Sequence, residues 1–151
     1  MKRKLIYHYF TDDDFLRFSR AIEEAEKSTS GEIRLAIKGE LQFFDSLKDI
    51  RQLAEDEFKR LNMQNTRDRT GILIYLLLPR RMFYIFADEG INSKVSQSTW
   101  DEIRDKMQSE FMNGKYSDGI LKGIELVGKT LSENFPIKAD DTNELSNKII
   151  T

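Results

Sequence analysis

The chain has 151 residues, 33% of them charged and 39% hydrophobic, with a net charge of −2, which fits one globular domain with a real core and no basic nucleic-acid footprint. It has no cysteine, which excludes disulfides, thiolate nucleophiles, iron–sulfur ligands and structural zinc. His8 is its one histidine, so Ser-His-Asp chemistry and multi-histidine metal sites fall away, and a metal here has to be held by oxygen, as Ca²⁺ or Mg²⁺ is.

The start, Met1-Lys2-Arg3-Lys4 and then Leu5 to Phe10, imitates a signal peptide. The apolar stretch is too short, and Asp12-Asp13-Asp14 follow at once. Residues 2–10 read instead as a short edge strand carrying His8. Thr11 with Asp14 marks a helix start, where the three acids complement the helix dipole. Phe15, Phe18, Ile22 and Ala25 recur at spacings of three and four, as an amphipathic helix requires. Ser28 to Gly31 stops it, and Ile33, Leu35 and Ile37 alternate with Arg34, Ala36 and Lys38 as a strand does.

A second helix is expected from Asp45 or Ser46, with Leu47, Ile50, Ala54, Phe58 and Leu61 on one face and Phe43-Phe44 stapling its start. After a polar loop, Gly71 to Leu78 is apolar on both faces, as a central strand is. Pro79-Arg80-Arg81 turns the chain, and Met82 to Ala87 returns as the antiparallel arm of a hairpin. Trp100, Ile103, Met107 and Phe111 mark a helix ended by Asn113-Gly114. Ile120, Ile124, Val127 and Leu131 mark another that stops before Pro136. The whole is a single α/β domain over residues 1–136, a small mixed sheet of three or four strands between helices, with a flexible tail at 137–151. The longest apolar run is far below membrane-spanning length, so a cytoplasmic protein without membrane contact is expected.

None of the P-loop, G-x-G-x-x-G, G-x-S-x-G or H-E-x-x-H motifs is present. The hairpin supplies the sharper candidate. A turn centred near Arg80 sets Asp68 opposite Asn92 and Gly71 near Glu89, with Asp88 beside it. Asp68, Asp88 and Glu89 then gather with the Asn92 amide at one end of the sheet, where such oxygens suit a hard cation. Glu32 reaches the same end if the first two strands run parallel. Arg67 and Arg69 either grip a phosphate or neutralise these acids as an ordinary surface loop would.

At four stretches the sequence resembles the TPM phosphatase-like domain family. They are Ser28 to Ile33, Thr66-Arg67-Asp68-Arg69-Thr70-Gly71-Ile72-Leu73, Ala87-Asp88-Glu89-Gly90-Ile91, and Asn113 to Ile120. The resemblance runs from about residue 10 to 135 and is nearest to a stand-alone cytoplasmic bacterial branch. It implies an α/β sandwich, a divalent-cation site among loop acids, and acid-phosphatase activity in some members. Asn92 and Gln97 stand where relatives carry acids, and Arg69-Thr70 where many carry Asn-Gly, which weakens such a cation site.

Two functions follow as expectations. One is a domain binding Ca²⁺ or Mg²⁺ through Asp68, Asp88 and Glu89, with weak phosphomonoesterase activity on a phosphorylated substrate. The other is a non-catalytic, cation-responsive module that engages a protein partner through the same loops.

Overall fold

The computed structural model describes residues 2–137 and 148–151. Its opening differs from the expected edge strand, because Lys2–Tyr9 is a helix, α1. Ile6 and Phe10 stand four apart and both are buried, with Leu5 and Tyr9 packed partly beside them. That spacing suits a helix laid on a core rather than a strand. His8 lies on its exposed side.

Helix α2, Asp12–Glu26, begins on the expected box. The Asp14 N–H donates to Thr11 Oγ1 at 3.1 Å, and the Thr11 N–H donates to the Asp14 carboxylate at 2.9 Å. Strand β1 is Glu32–Lys38. Helix α3, Ile50–Arg60, starts later than expected. Asp49 is its N-cap, accepting from the Gln52 N–H at 2.8 Å, and an acid placed there fixes the first turn. Phe43–Asp45 therefore forms a separate 3₁₀ turn, and Phe43, Phe44 and Leu47 are exposed rather than stapled to the helix.

Strand β2, Gly71–Leu77, leads through a 3₁₀ turn at Leu78–Arg80 into β3, Met82–Ala87. Helix α4 is the short Glu89–Asn92, α5 is Gln97–Met112 and α6 is Tyr116–Asn134. The sheet order is β1-β2-β3, with β1 parallel to β2 and β3 antiparallel to it. Parity along the strands divides two cores. Ile33, Leu35, Ile37, Ile72, Ile74 and Leu76 pack with α1, α2, α5 and α6. Ala36, Leu73, Tyr75 and Leu77 pack under α3 with Phe58.

The hairpin register is one residue short of the expected one, with Ile72 opposite Ala87. The turn uses four residues, ending on Arg81 in the left-handed region at φ 53°, so its centre falls just before Arg80. Residues 148–151, from the expected tail, return to the sheet. The Ile37 N–H donates to Ile150 O at 2.8 Å, and the Ile150 N–H donates to Leu35 O at 3.0 Å. Residues 138–147 of that tail lie outside the described residues. Among the described residues no helix is long and apolar enough to cross a membrane.

Candidate functional site

Parallel pairing puts Glu32 opposite Gly71, so the start of β1, the start of β2 and the end of β3 share one end of the sheet. Beyond β2 and β3 two loops are joined backbone to backbone. The Asp88 N–H donates to Gly71 O at 2.9 Å, and the Gly90 N–H donates to Arg69 O at 3.0 Å. Gly90 lies so close that a Cβ there would stand 2.3 Å from Asp68 O and 2.5 Å from Arg69 O. Only a residue without a side chain admits this approach.

Asp88 is the most constrained acid of the set. It is the N-cap of α4, accepting from the Glu89 N–H at 2.8 Å. Both its carboxylate oxygens also accept from Arg69, Oδ2 from Nε and Oδ1 from Nη2, each at 2.8 Å. This fork-on-fork pairing is the strongest geometry an ion pair adopts. The Asp88 side chain is only 5% exposed, and the same guanidinium lies 3.3 Å from Glu89. Arg69 holds this position with a left-handed backbone, φ 56°, a conformation costly for a residue with a Cβ.

The structure thus brings Arg69, Asp88, Glu89 and Asn92 around one hollow of about 640 Å³, whose far wall is α3 with Phe58 and Lys59. Asp68 sits at the adjoining corner, its carboxylate 3.7 Å from Arg67 Nε. Asn92 is spent locally, its side-chain N–H donating to Ala87 O at 2.8 Å, because the chain coils into α4 instead of extending the hairpin. Glu32 reaches the right end but faces elsewhere. Its carboxyl hydrogen-bonds the Glu26 carboxyl, which also accepts from the Ile33 N–H at 2.7 Å. Burial first, and then Glu32 beside it, drive the Glu26 carboxyl up to about 8.

Tested against a hard cation, these acids do not converge as they stand. Among the described residues no three acidic or histidine side chains form a group able to hold a metal. Arg69 already supplies the positive charge that Asp88 and Glu89 demand, which is the neutralising role the sequence left open for it. The Glu26–Glu32 pair escaped sequence reasoning altogether. The two residues lie on different elements, and nothing in their spacing announces that the two carboxyls meet.

The model of the TPM domain matches residues 7–130. The NMR structure of the BA42 protein from the psychrophilic bacterium Bizionia argentinensis is similar at 38% identity and a TM-score of 0.81, covering 94% of each chain. The N-terminal domain of a P. gingivalis protein matches at 16% identity and a TM-score of 0.67, covering 84% of this chain and 79% of that one. That of the cg2496 protein from Corynebacterium glutamicum matches at 13% and 0.62, covering 89% and 81%. These last two share the fold. No curated protein matches the chain.

Proposed function

The chain belongs to the TPM domain family, and from that premise we propose that it is a cation-responsive binding module rather than an effective hydrolase. The observation that carries this reading is the two-point grip of Arg69 on Asp88. Carboxylate oxygens held by a guanidinium can serve Ca²⁺ or Mg²⁺ only after Arg69 lets go. Glu89, whose side chain is 75% exposed, and Asp68, at 40%, are within reach of solvent and offer the first oxygens. Asp88 completes the set when Arg69 swings away. Arg69 beside Arg67 then presents paired positive charge to an acidic or phosphorylated group on a protein partner.

The second reading, a weak phosphomonoesterase, draws support from arginines beside acids, an arrangement suited to gripping a phosphoryl group. A divalent cation, when bound, would add charge stabilisation at a phosphoryl oxygen. Against it, the lining of the described hollow includes no histidine, and its serine, Ser93, donates to Gly90 O at 3.1 Å rather than to a base.

Amide shifts followed during separate Ca²⁺ and Mg²⁺ titrations, with phosphate release from p-nitrophenyl phosphate assayed alongside, decide between them. The module predicts shifts confined to residues 66–71 and 87–92 without turnover, and a weaker response in Asp68→Ala. An amide spectrum indifferent to millimolar cation would end the cation reading. Turnover lost on Asp68→Ala would favour the hydrolase.

A further inference from the structure

The two edges of the sheet are treated differently. Ile150 covers the outer edge of β1 with two backbone hydrogen bonds. The outer edge of β3 receives no strand among the described residues.

Parity identifies which groups that edge presents. Asp88 and Gly71 form a hydrogen-bonded pair, so the even-numbered residues of β3 bond to β2. Phe83, Ile85 and Ala87 therefore turn their N–H and C=O groups outward. The Ala87 carbonyl is the one already taken, by the Asn92 side chain, which closes that end of the ladder. The remaining outward groups have no backbone partner from outside the sheet among the described residues.

The segment Met82-Phe83-Tyr84-Ile85-Phe86-Ala87 carries no charge and no proline, the devices that usually blunt an edge. From Phe83 to Ala87 it forms the floor of a groove of about 430 Å³ between α5 on one side and Arg51 of α3 on the other. Trp100, 7% exposed, lies in the α5 wall, and its indole N–H has no acceptor among the described residues. At the rim stand Arg51 and Arg104, each more than half exposed; Arg104 is already paired with Asp101 of the same lining at 3.3 Å and with Asp105 at 3.2 Å, which leaves Arg51 as the cation on offer. Arg51 meets its partner Glu55 only at 3.8 Å.

We infer that β3 is the docking edge for an extended peptide of a partner protein, which adds as a fourth strand against Phe83 and Ile85. Apolar side chains of that peptide face Trp100, and an acidic side chain on its other face meets Arg51. The edge lies between α5 on one side and Arg51 of α3 on the other. A second copy would have to bring its own flanking helices into the same space, which disfavours it as the occupant. The inference does not rest on the cation reading.

The test uses a capped heptapeptide alternating valine and glutamate, titrated into the full chain in a chelating buffer while backbone and indole N–H resonances are followed. The expected result is shifts at Phe83, Ile85 and the Trp100 indole, and slower exchange of the Phe83 and Ile85 amides. N-methylation of alternate peptide residues removes the edge-facing donors and weakens binding by at least about tenfold. Arg51→Glu weakens this peptide and favours its lysine counterpart. Shifts located away from β3, or none at all, overturn the proposal. So does concentration-dependent shifting of the same amides without peptide, which would identify a second copy as the occupant. Because no cation is present, a positive result stands even if the Ca²⁺ and Mg²⁺ titrations fail, and the reverse holds.

Discussion

At the level of single residues, Arg69 carries two opposed effects that one substitution separates. Its left-handed backbone is costly, and its guanidinium is the partner of a nearly buried carboxylate. Arg69→Ala keeps the backbone strain and strands the Asp88 charge, so stability falls by about 1–2 kcal/mol in urea denaturation. On the proposed cation reading the same change frees Asp88 and Glu89, so half-saturation by Ca²⁺ should move to lower concentration. A variant that lost stability and cation response together would show that Arg69 orders the loops rather than competing for their acids. Glu26 is a separate case. The unfolded chain releases its proton near the ordinary value of 4.5, whereas the folded chain keeps it until about 8. The folded state binds more protons across that window, so the contribution of Glu26 to stability is fully present below pH 4.5 and is lost as pH rises towards 8. Glu26→Gln preserves an acceptor for the Ile33 N–H and a donor for Glu32. It should gain on the order of 2 kcal/mol over wild type at pH 9 and almost nothing at pH 4. A constant difference across pH would refute a Glu26 carboxyl raised by burial and by Glu32 beside it.

Among the elements, the join between the loops flanking β2 and β3 depends on Gly90. A methyl group there meets two backbone carbonyl oxygens, which cannot rotate aside. Gly90→Ala therefore costs about 1–3 kcal/mol, and amide shifts should extend over residues 66–71 as the loops part. Unchanged stability would mean the two loops are not joined this tightly. The opposite outcome belongs to the 3₁₀ turn before α3. Phe43 is 90% and Phe44 78% exposed, so replacing both by serine should change stability by less than about 0.5 kcal/mol. Phe43-Phe44 before a helix suggested a staple, and the sequence offered no way to weigh Asp49 against Ser46 as the cap. The N-terminal segment misled for a related reason. Its apolar run is short and nearly unbroken, and only the packing against the core shows that Leu5, Ile6, Tyr9 and Phe10 are the ones that share a buried face, as a helix requires. By contrast, the apolar run of β2, the Thr11–Asp14 box and the helical stripes of α2, α5 and α6 depend on near neighbours, and these the sequence made legible.

For the molecule as a whole, long-range pairing is what sequence pattern could not supply. The hairpin argument brought Asp88 and Glu89 to the right end of the sheet, because a tight turn fixes register within about a residue. It could not show Arg69 folded onto Asp88, since the pairing depends on side-chain direction rather than spacing. Nor could it show Ile150 beside β1, more than a hundred residues from its partners Leu35 and Ile37. That contact completes both cores at once, because Ile149 packs against one and Ile150 against the other. Ile150→Pro removes the N–H that Leu35 O accepts and leaves the strand order untouched. Losing that bond and misplacing two apolar side chains should cost about 1–3 kcal/mol, with faster amide exchange at Ile37, whose acceptor is Ile150 O. Exchange at Phe83 and Ile85 should stay as fast as before, because among the described residues the β3 edge has no such cover. If instead all three amides respond alike, the two edges of the sheet are not independent, and the contrast between a covered β1 and an open β3 fails.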